Sequence, residues 1–289
     1  MLERSAVGAT HPWHQVQLDG VSLAYNDEGD GPAVICLHAI GHGAGDFARL
    51  RQQLRSRYRV IALDWPGQGN SGTDHTPASA ARYTDLLMRF LDALAIERAV
   101  LLGNSIGGAA AIRCAAAHPE RVRALVLANP GGLDRGGARG FARVVTALMA
   151  RFFAAGARGA RWYPRAFAAY YRMVLSAPAA AEQRARIVAS AVEIAAILAQ
   201  AWTSFGEPDA DIRALAPQVS CPVLFTWATG DRINQLSRCR AAIQQFPNER
   251  LETFAGGHAA FLEAPDAFES SLTRFLAELA DSGECARPN

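Results

Sequence analysis

The chain has 289 residues, half of them apolar, and a formal net charge of +2. That length supports one large core plus an inserted subdomain, and the near-neutral balance excludes a broad electrostatic footprint for nucleic acid. All 29 basic residues are arginine, which excludes Schiff-base chemistry on a lysine and a phosphate loop built around one.

The N-terminus, Met1-Leu2-Glu3-Arg4-Ser5-Ala6, shows no apolar signal segment, and no uncharged run reaches membrane-spanning length. Gln15–Gly20 and Val21–Tyr25 then read as an opening hairpin with Asp19-Gly20 at its turn. Apolar strands follow near 33–38, 58–64, 98–103 and 123–128, alternating with helical patterns near 46–56, 79–95 and 106–117. Further strands are expected near 222–227 and 250–254, and a closing helix near 262–280. Continuous apolar strands separated by helices predict an α/β fold with a mostly parallel eight-stranded sheet covered on both faces.

From Gly131 to about Asp209 the alternation stops, and helical blocks near 139–155, 163–176, 179–189 and 190–204 replace it. This divides the chain into a core of residues 1–130 and 211–289 and a helical segment of residues 131–210. Between Arg135 and Ala181 that segment carries Arg135, Arg139, Arg143, Arg151, Arg158, Arg161, Arg165 and Arg172 and no acid. These read as arginines on a solvated helix face, the functional alternative being recruitment of an anionic substrate or a membrane surface. Phe141, Val144, Val145, Leu148, Phe152 and Phe153 are expected to line the interface with the core or an apolar pocket rather than to make a lipid contact. Cys36, Cys114, Cys221, Cys239 and Cys285 are odd in number and without paired spacing, so they read as small hydrophobes in a reducing, cytoplasmic setting.

Chemistry enters at Gly103-Asn104-Ser105-Ile106-Gly107, a serine on a sharp turn between a strand and a small-residue helix. The glycines leave room where side chains would collide, and the helix N-terminus faces developing negative charge. A serine needs a base and a group that orients the base. Asp231 follows the strand ending at Trp227, and His258 follows the strand Leu251–Phe254. Asp134, after the sixth strand, is an alternative acid.

Upstream, Ala33–Gly41 contains His38-Ala39-Ile40-Gly41, and Val60–Ser71 contains Asp64-Trp65-Pro66-Gly67-Gln68-Gly69-Asn70-Ser71. These five motifs in this order resemble the α/β-hydrolase family, whose chain order is serine, acid, histidine. The resemblance implies a helical cap over residues 131–210, Ser105 as nucleophile, His258 as base and Asp231 as its orienter. It also implies an oxyanion hole from the backbone N–H groups of Ile40 and Ile106. The family usually has His-Gly where this chain has His38-Ala39, so Ala39 is expected to be strained unless Gly41 absorbs the turn.

Gly67-Gln68-Gly69-Asn70-Ser71-Gly72 matches a dinucleotide fingerprint, but turn formers rather than a helix follow it. Asp64 reads as a loop-ordering group, and His38 as a structurally hydrogen-bonded one. His11, His14, His75 and His118 read as surface residues. No histidine pair has metal-ligand spacing, so neither metal nor cofactor is expected.

The expected substrate is a small apolar ester, lactone or related carbonyl compound, with Ile40, Ile106, Ala259 and Trp227 supplying apolar surface. Gly103–Gly108 and Asn129–Leu133 are similar to the meta-cleavage-product hydrolases, which makes C–C bond hydrolysis the alternative. Those enzymes usually have tryptophan where Ala259 stands. A hydrolase-fold ligand sensor is the reading from a different class, and a homodimer stays open.

Overall fold

The computed structural model describes residues 13–136 and 140–281. His11, Arg139, Cys285 and the Phe141 side chain, singled out above, lie outside the description. β1 (His14–Leu18) and β2 (Val21–Glu28) form the opening hairpin. At its turn Asp19 and Gly20 have φ of 53° and 80°, the left-handed pair that matches the twist of the flanking strands.

β3 (Ala33–Leu37), α1 (Ala48–Leu54), β4 (Arg59–Leu63), α2 (Ala80–Ala93), β5 (Ala99–Asn104), α3 (Ile106–Ala117) and β6 (Val122–Ala128) continue the alternation. Four helices then follow in the chain: α4 (Gly140–Ala157), α5 (Tyr163–Val174), α6 (Ala181–Ala189) and α7 (Ala195–Ser204). β7 (Val223–Ala228), α8 (Leu236–Ile243), β8 (Glu249–Phe254), α9 (Ala260–Glu263) and α10 (Pro265–Asp281) complete the described residues. The sequence reading missed α8, and its closing helix is broken at Ala264-Pro265, where proline cannot continue the ladder.

The eight strands form one sheet in the order β1-β2-β4-β3-β5-β6-β7-β8. β2 runs antiparallel to both β1 and β4, and β3 through β8 are mutually parallel. This is the sheet that the apolar runs predict. β3, β5, β6 and β7 are buried almost throughout, with helices on both faces, which is why they read as continuous apolar runs.

Because these strands are parallel, their C-terminal ends share one edge. The loops leaving β3, β5, β6, β7 and β8 there carry Ile40, Ser105, Asn129, Asp231 and His258. The four-helix insert leaves the sheet after β6 and returns at the adjacent β7, so the sheet closes beneath it without a gap. α4 packs on α7, around an aromatic cluster in which Phe153 meets Phe167, Tyr170 and Trp202 at centroid distances of 6.3, 5.7 and 6.1 Å.

Candidate active site

Ser105 sits between β5 and α3 with φ 53° and ψ −115°, a sparsely populated conformation for a residue with a side chain. Such strain costs on the order of 1–3 kcal/mol and persists only where packing enforces it. Here the packing is explicit: a Cβ at Gly107 would lie 2.3 Å from the Leu37 carbonyl oxygen, and one at Gly103 would lie 2.6 Å from that of Gly107. The Ser105 N–H donates to the Ala128 carbonyl at 3.1 Å, and its own carbonyl accepts from Ala109 and Gly131, both at 3.0 Å.

Asp231 and His258, both buried, are brought together: His258 Nδ1 lies 2.8 Å from Asp231 Oδ2. A carboxylate only accepts, so the Nδ1 atom carries the proton and Nε2 is left with its lone pair. Asp231 Oδ2 also accepts from Asn129 Nδ2 at 2.7 Å. Its Oδ1 accepts the N–H groups of Ile233 at 2.7 Å and Asn234 at 3.1 Å. Four donors therefore fix this carboxylate in one orientation.

The alternative acid, Asp134, is engaged elsewhere. Arg238 donates to both its oxygens, through Nε to Oδ2 and through Nη2 to Oδ1 at 2.8 Å. Burial pushes the Asp134 carboxyl up, but the Arg238 and Gly136 hydrogen bonds outweigh this and hold it below the usual carboxylate value.

The histidine loop is tied down on two sides. The His258 N–H donates to the Val174 carbonyl at 2.7 Å, and the His258 carbonyl accepts from Asn104 Nδ2 at 3.0 Å. Asn104 is the residue before Ser105, so it couples the two loops directly. Glu263 Oε2 accepts from the N–H groups of Gly257 at 2.7 Å and Ala259 at 3.3 Å. Its Oε1 accepts from the Ala177 N–H at 2.9 Å and Ser176 Oγ at 3.3 Å. Asn104, Asn129 and Glu263 were not recognised as site residues in the sequence, because partners up to 154 positions away define them.

The loop after β3 resolves the Ala39 question. Ala39 is not among the residues with positive φ, and Gly41 takes that conformation instead, at φ 77°. The Gly41 N–H donates to Gln68 Oε1 at 2.6 Å, and Gln68 in turn donates to the Tyr83 hydroxyl at 3.1 Å. The buried N–H groups of Ile40 and Ile106 find no acceptor among the described residues. Unpaired buried donors are rare, and the Ile106 N–H directly follows Ser105 in the chain. His38 Nδ1 donates to the Ala39 carbonyl at 2.7 Å, and its Nε2 accepts the Trp65 N–H at 2.9 Å. Burial lowers its pKa, which suits the neutral ring that this pattern requires. Asp64 orders the next loop by accepting the N–H groups of Ala44 at 2.7 Å and Asn70 at 2.8 Å.

His42 carries no assignment from the sequence, yet it makes a second buried pair, with Nδ1 2.6 Å from Asp46 Oδ2. Gln183 of α6 donates to the other Asp46 oxygen and so joins the insert to the loop after β3.

A cavity of about 430 Å³ opens beside Ser105. Ser105, Ile106 and Ile233 line it from the core, and Val145, Met149, Tyr170, Met173 and Trp202 from the insert. Trp227 does not line it: the ring is fully buried, with its indole N–H on the Asn234 carbonyl at 3.0 Å, beneath the Asp231 loop. Ile40 and Ala259 are likewise absent from the wall, which the insert supplies instead. Val144 and Leu148 point outward rather than into the pocket. The arginines on the wall are Arg232 and Arg238, and none of the described arginines between positions 135 and 172 reaches it. Burial and the nearby Asp231 charge push the Tyr170 hydroxyl's pKa up, so Tyr170 lines the cavity as a neutral residue.

Comparison with known proteins is consistent with this architecture. Over 287 residues the chain is 29% identical to a Caulobacter sp. (strain K31) protein carrying the name carbamate hydrolase RutD, covering 94% of this chain and 100% of the relative. It is 41% identical over 119 residues to a 2-hydroxy-6-oxo-6-phenylhexa-2,4-dienoate hydrolase of Comamonas testosteroni, a match spanning 38% of this chain and 41% of that enzyme. A thermophilic esterase from Thermogutta terrifontis superposes with a TM-score of 0.78 at 22% identity, covering 93% of this chain and 99% of the esterase, a likeness of fold. The model of the alpha/beta hydrolase fold family matches residues 32–265. The chain belongs to the α/β-hydrolase fold family and is an enzyme of that family.

Proposed function

We propose that this enzyme hydrolyses carboxylic esters or lactones of apolar character through Ser105, His258 and Asp231. The observation that carries the reading is the Asp231–His258 pair, which leaves Nε2 as a base in the site that the strained Ser105 turn enters. Ser105 Oγ attacks the carbonyl carbon and its proton passes to His258 Nε2. Asp231 holds the tautomer and stabilises the imidazolium. The oxyanion takes up the two unpaired N–H groups of Ile40 and Ile106; loss of one such donor typically costs on the order of 3 kcal/mol. The imidazolium then protonates the leaving oxygen, and water, activated by the same base, releases the acyl group.

The cavity beside Ser105 supports an apolar substrate. Its wall is mostly apolar, and burial there gains roughly 25 cal/mol per Å². Residues 131–210 act as the cap in this reading, with the inner sides of α4, α5 and α7 completing the pocket.

A second reading has one observation in its favour. Arg232 lines the cavity and makes no hydrogen bond or ion pair among the described residues, so it is available to a substrate carboxylate. Together with the dienoate hydrolase relative, this favours C–C bond hydrolysis of an anionic diketone.

The test is direct. Ser105→Ala is expected to fold normally and to lower p-nitrophenyl butyrate turnover by on the order of 10⁴-fold or more. A fluorophosphonate is expected to label Ser105 in the wild type. An active alanine variant, or labelling elsewhere, overturns the assignment. A kcat/KM at least about a hundredfold higher on a meta-cleavage dienoate than on the ester selects the second reading.

A further inference from the structure

The insert has two faces of different character. On the inner side of α4, Ala142, Val145 and Met149 line the cavity and Phe153 is fully buried. The outer side is both cationic and apolar. Val144 and Leu148, one helical turn apart, are 55% and 57% exposed. Trp162, at the start of α5, is 53% exposed and lies 5.8 Å, centroid to centroid, from Phe152, one turn beyond Leu148. These side chains therefore form a continuous apolar strip across the α4–α5 junction.

Arginines frame the strip. Arg143 and Arg151 lie beside its residues on α4, while Arg158, Arg161 and Arg165 lie within four positions of Trp162 in the chain, and all five are exposed. None of them is in an ion pair among the described residues. Their surroundings in the chain explain this, since positions 135 to 181 contain no acid. The bounding acids, Asp134 and Glu182, are already paired, with Arg238 and Arg186. Apolar groups with an indole among unpaired arginines have the composition of an interfacial surface: guanidinium groups meet anionic headgroups while the indole and aliphatic side chains enter the boundary below them. Val144, Leu148, Phe152 and Trp162 in one strip go beyond the singly scattered apolar residues that a solvated surface ordinarily carries. A second copy of the chain would bring the same positive charge against itself.

We propose that the outer face of α4 and the α4–α5 junction docks the enzyme on an anionic lipid surface. Docking is peripheral: the inner side of α4 stays packed on α7, and no described helix is long and apolar enough to cross a membrane. The proposal does not depend on the reaction that the enzyme catalyses.

Flotation with vesicles tests it. The full chain is expected to float with equimolar phosphatidylglycerol–phosphatidylcholine vesicles at low salt, and to stay unbound with phosphatidylcholine alone or at high salt. Arg143→Glu combined with Arg151→Glu is expected to weaken partitioning by at least about tenfold, given the few-fold effect of each basic residue near a charged surface. Trp162→Ala is expected to weaken it at unchanged charge. Both variants should keep the wild-type unfolding midpoint and wild-type turnover of a soluble ester. The proposal is overturned by equal flotation of wild type and the double-glutamate variant, or by no flotation on anionic vesicles. Light scattering that reveals a dimer dissolved by the same charge reversals also overturns it, by assigning the face to a second copy.

Discussion

Asp231 and Asp134 both follow a strand end, and their partners separate them. Asp231→Asn is expected to lower kcat by on the order of 10⁴-fold, since an amide no longer stabilises the imidazolium or its tautomer. Asp134→Asn should change kcat only a few-fold, because Arg238 already occupies that carboxylate. Steady-state kinetics on one ester decides between them. His38 makes a separate prediction about stability. Its folded pKa lies below the ordinary 6.5 because burial disfavours the charged ring. Protonation would also turn Nε2 into a donor facing the Trp65 N–H. The unfolded chain therefore binds this proton first: stability is complete above about pH 6.5 and falls as pH drops below it, by up to about 1.4 kcal/mol per pH unit. Urea unfolding between pH 7 and pH 5 should show this slope, and His38→Asn should flatten it. The sequence pointed to His38 as structurally bonded through its place in a recognisable loop. It passed over His42, whose partner Asp46 lies across the entry to a short helical turn rather than within a periodic pattern.

At the scale of elements, the sharp turn at Ser105 depends on how closely α3 approaches β3. Gly107→Ala places a methyl group 2.3 Å from a backbone oxygen that has nowhere to go. Its cost is expected at or beyond the upper end of the 1–3 kcal/mol typical of overpacking. Gly45→Ala, with nothing within 4 Å of the new Cβ, is the matched control and should be near neutral in urea titration. The strands were legible because parallel strands covered on both faces become unbroken apolar runs. That same continuity hid which way Trp227 faces: every residue of β7 is buried, so no alternation separates the core side from the pocket side. The short, polar α8 lacks a strong apolar stripe and went unread, although its Arg238 is the residue that pairs with Asp134.

For the molecule as a whole, the cavity beside Ser105 lies where insert meets core, and the proposed function makes that junction the limit on substrate size. Met149→Trp adds bulk to the insert's side of the cavity. It is expected to lower kcat/KM for an octanoyl ester relative to a butyryl ester by at least about tenfold, in line with the roughly 10- to 200-fold carried by one methylene in an apolar pocket. Measured p-nitrophenyl series on the two proteins check it. The attachment of the insert has a further consequence. His258 and the insert share their fastenings: Val174 holds His258 directly, and Glu263 clasps the histidine loop with one oxygen and the start of the next insert segment with the other. Swinging the α5–α6 end away from the sheet would pull the imidazole out of register. Under the proposed reaction, entry through that side would disturb the alignment of His258, whereas α4 makes no hydrogen bond to the histidine loop among the described residues. In the proposed reaction, an entrance on the α4 flank is the one compatible with an aligned His258.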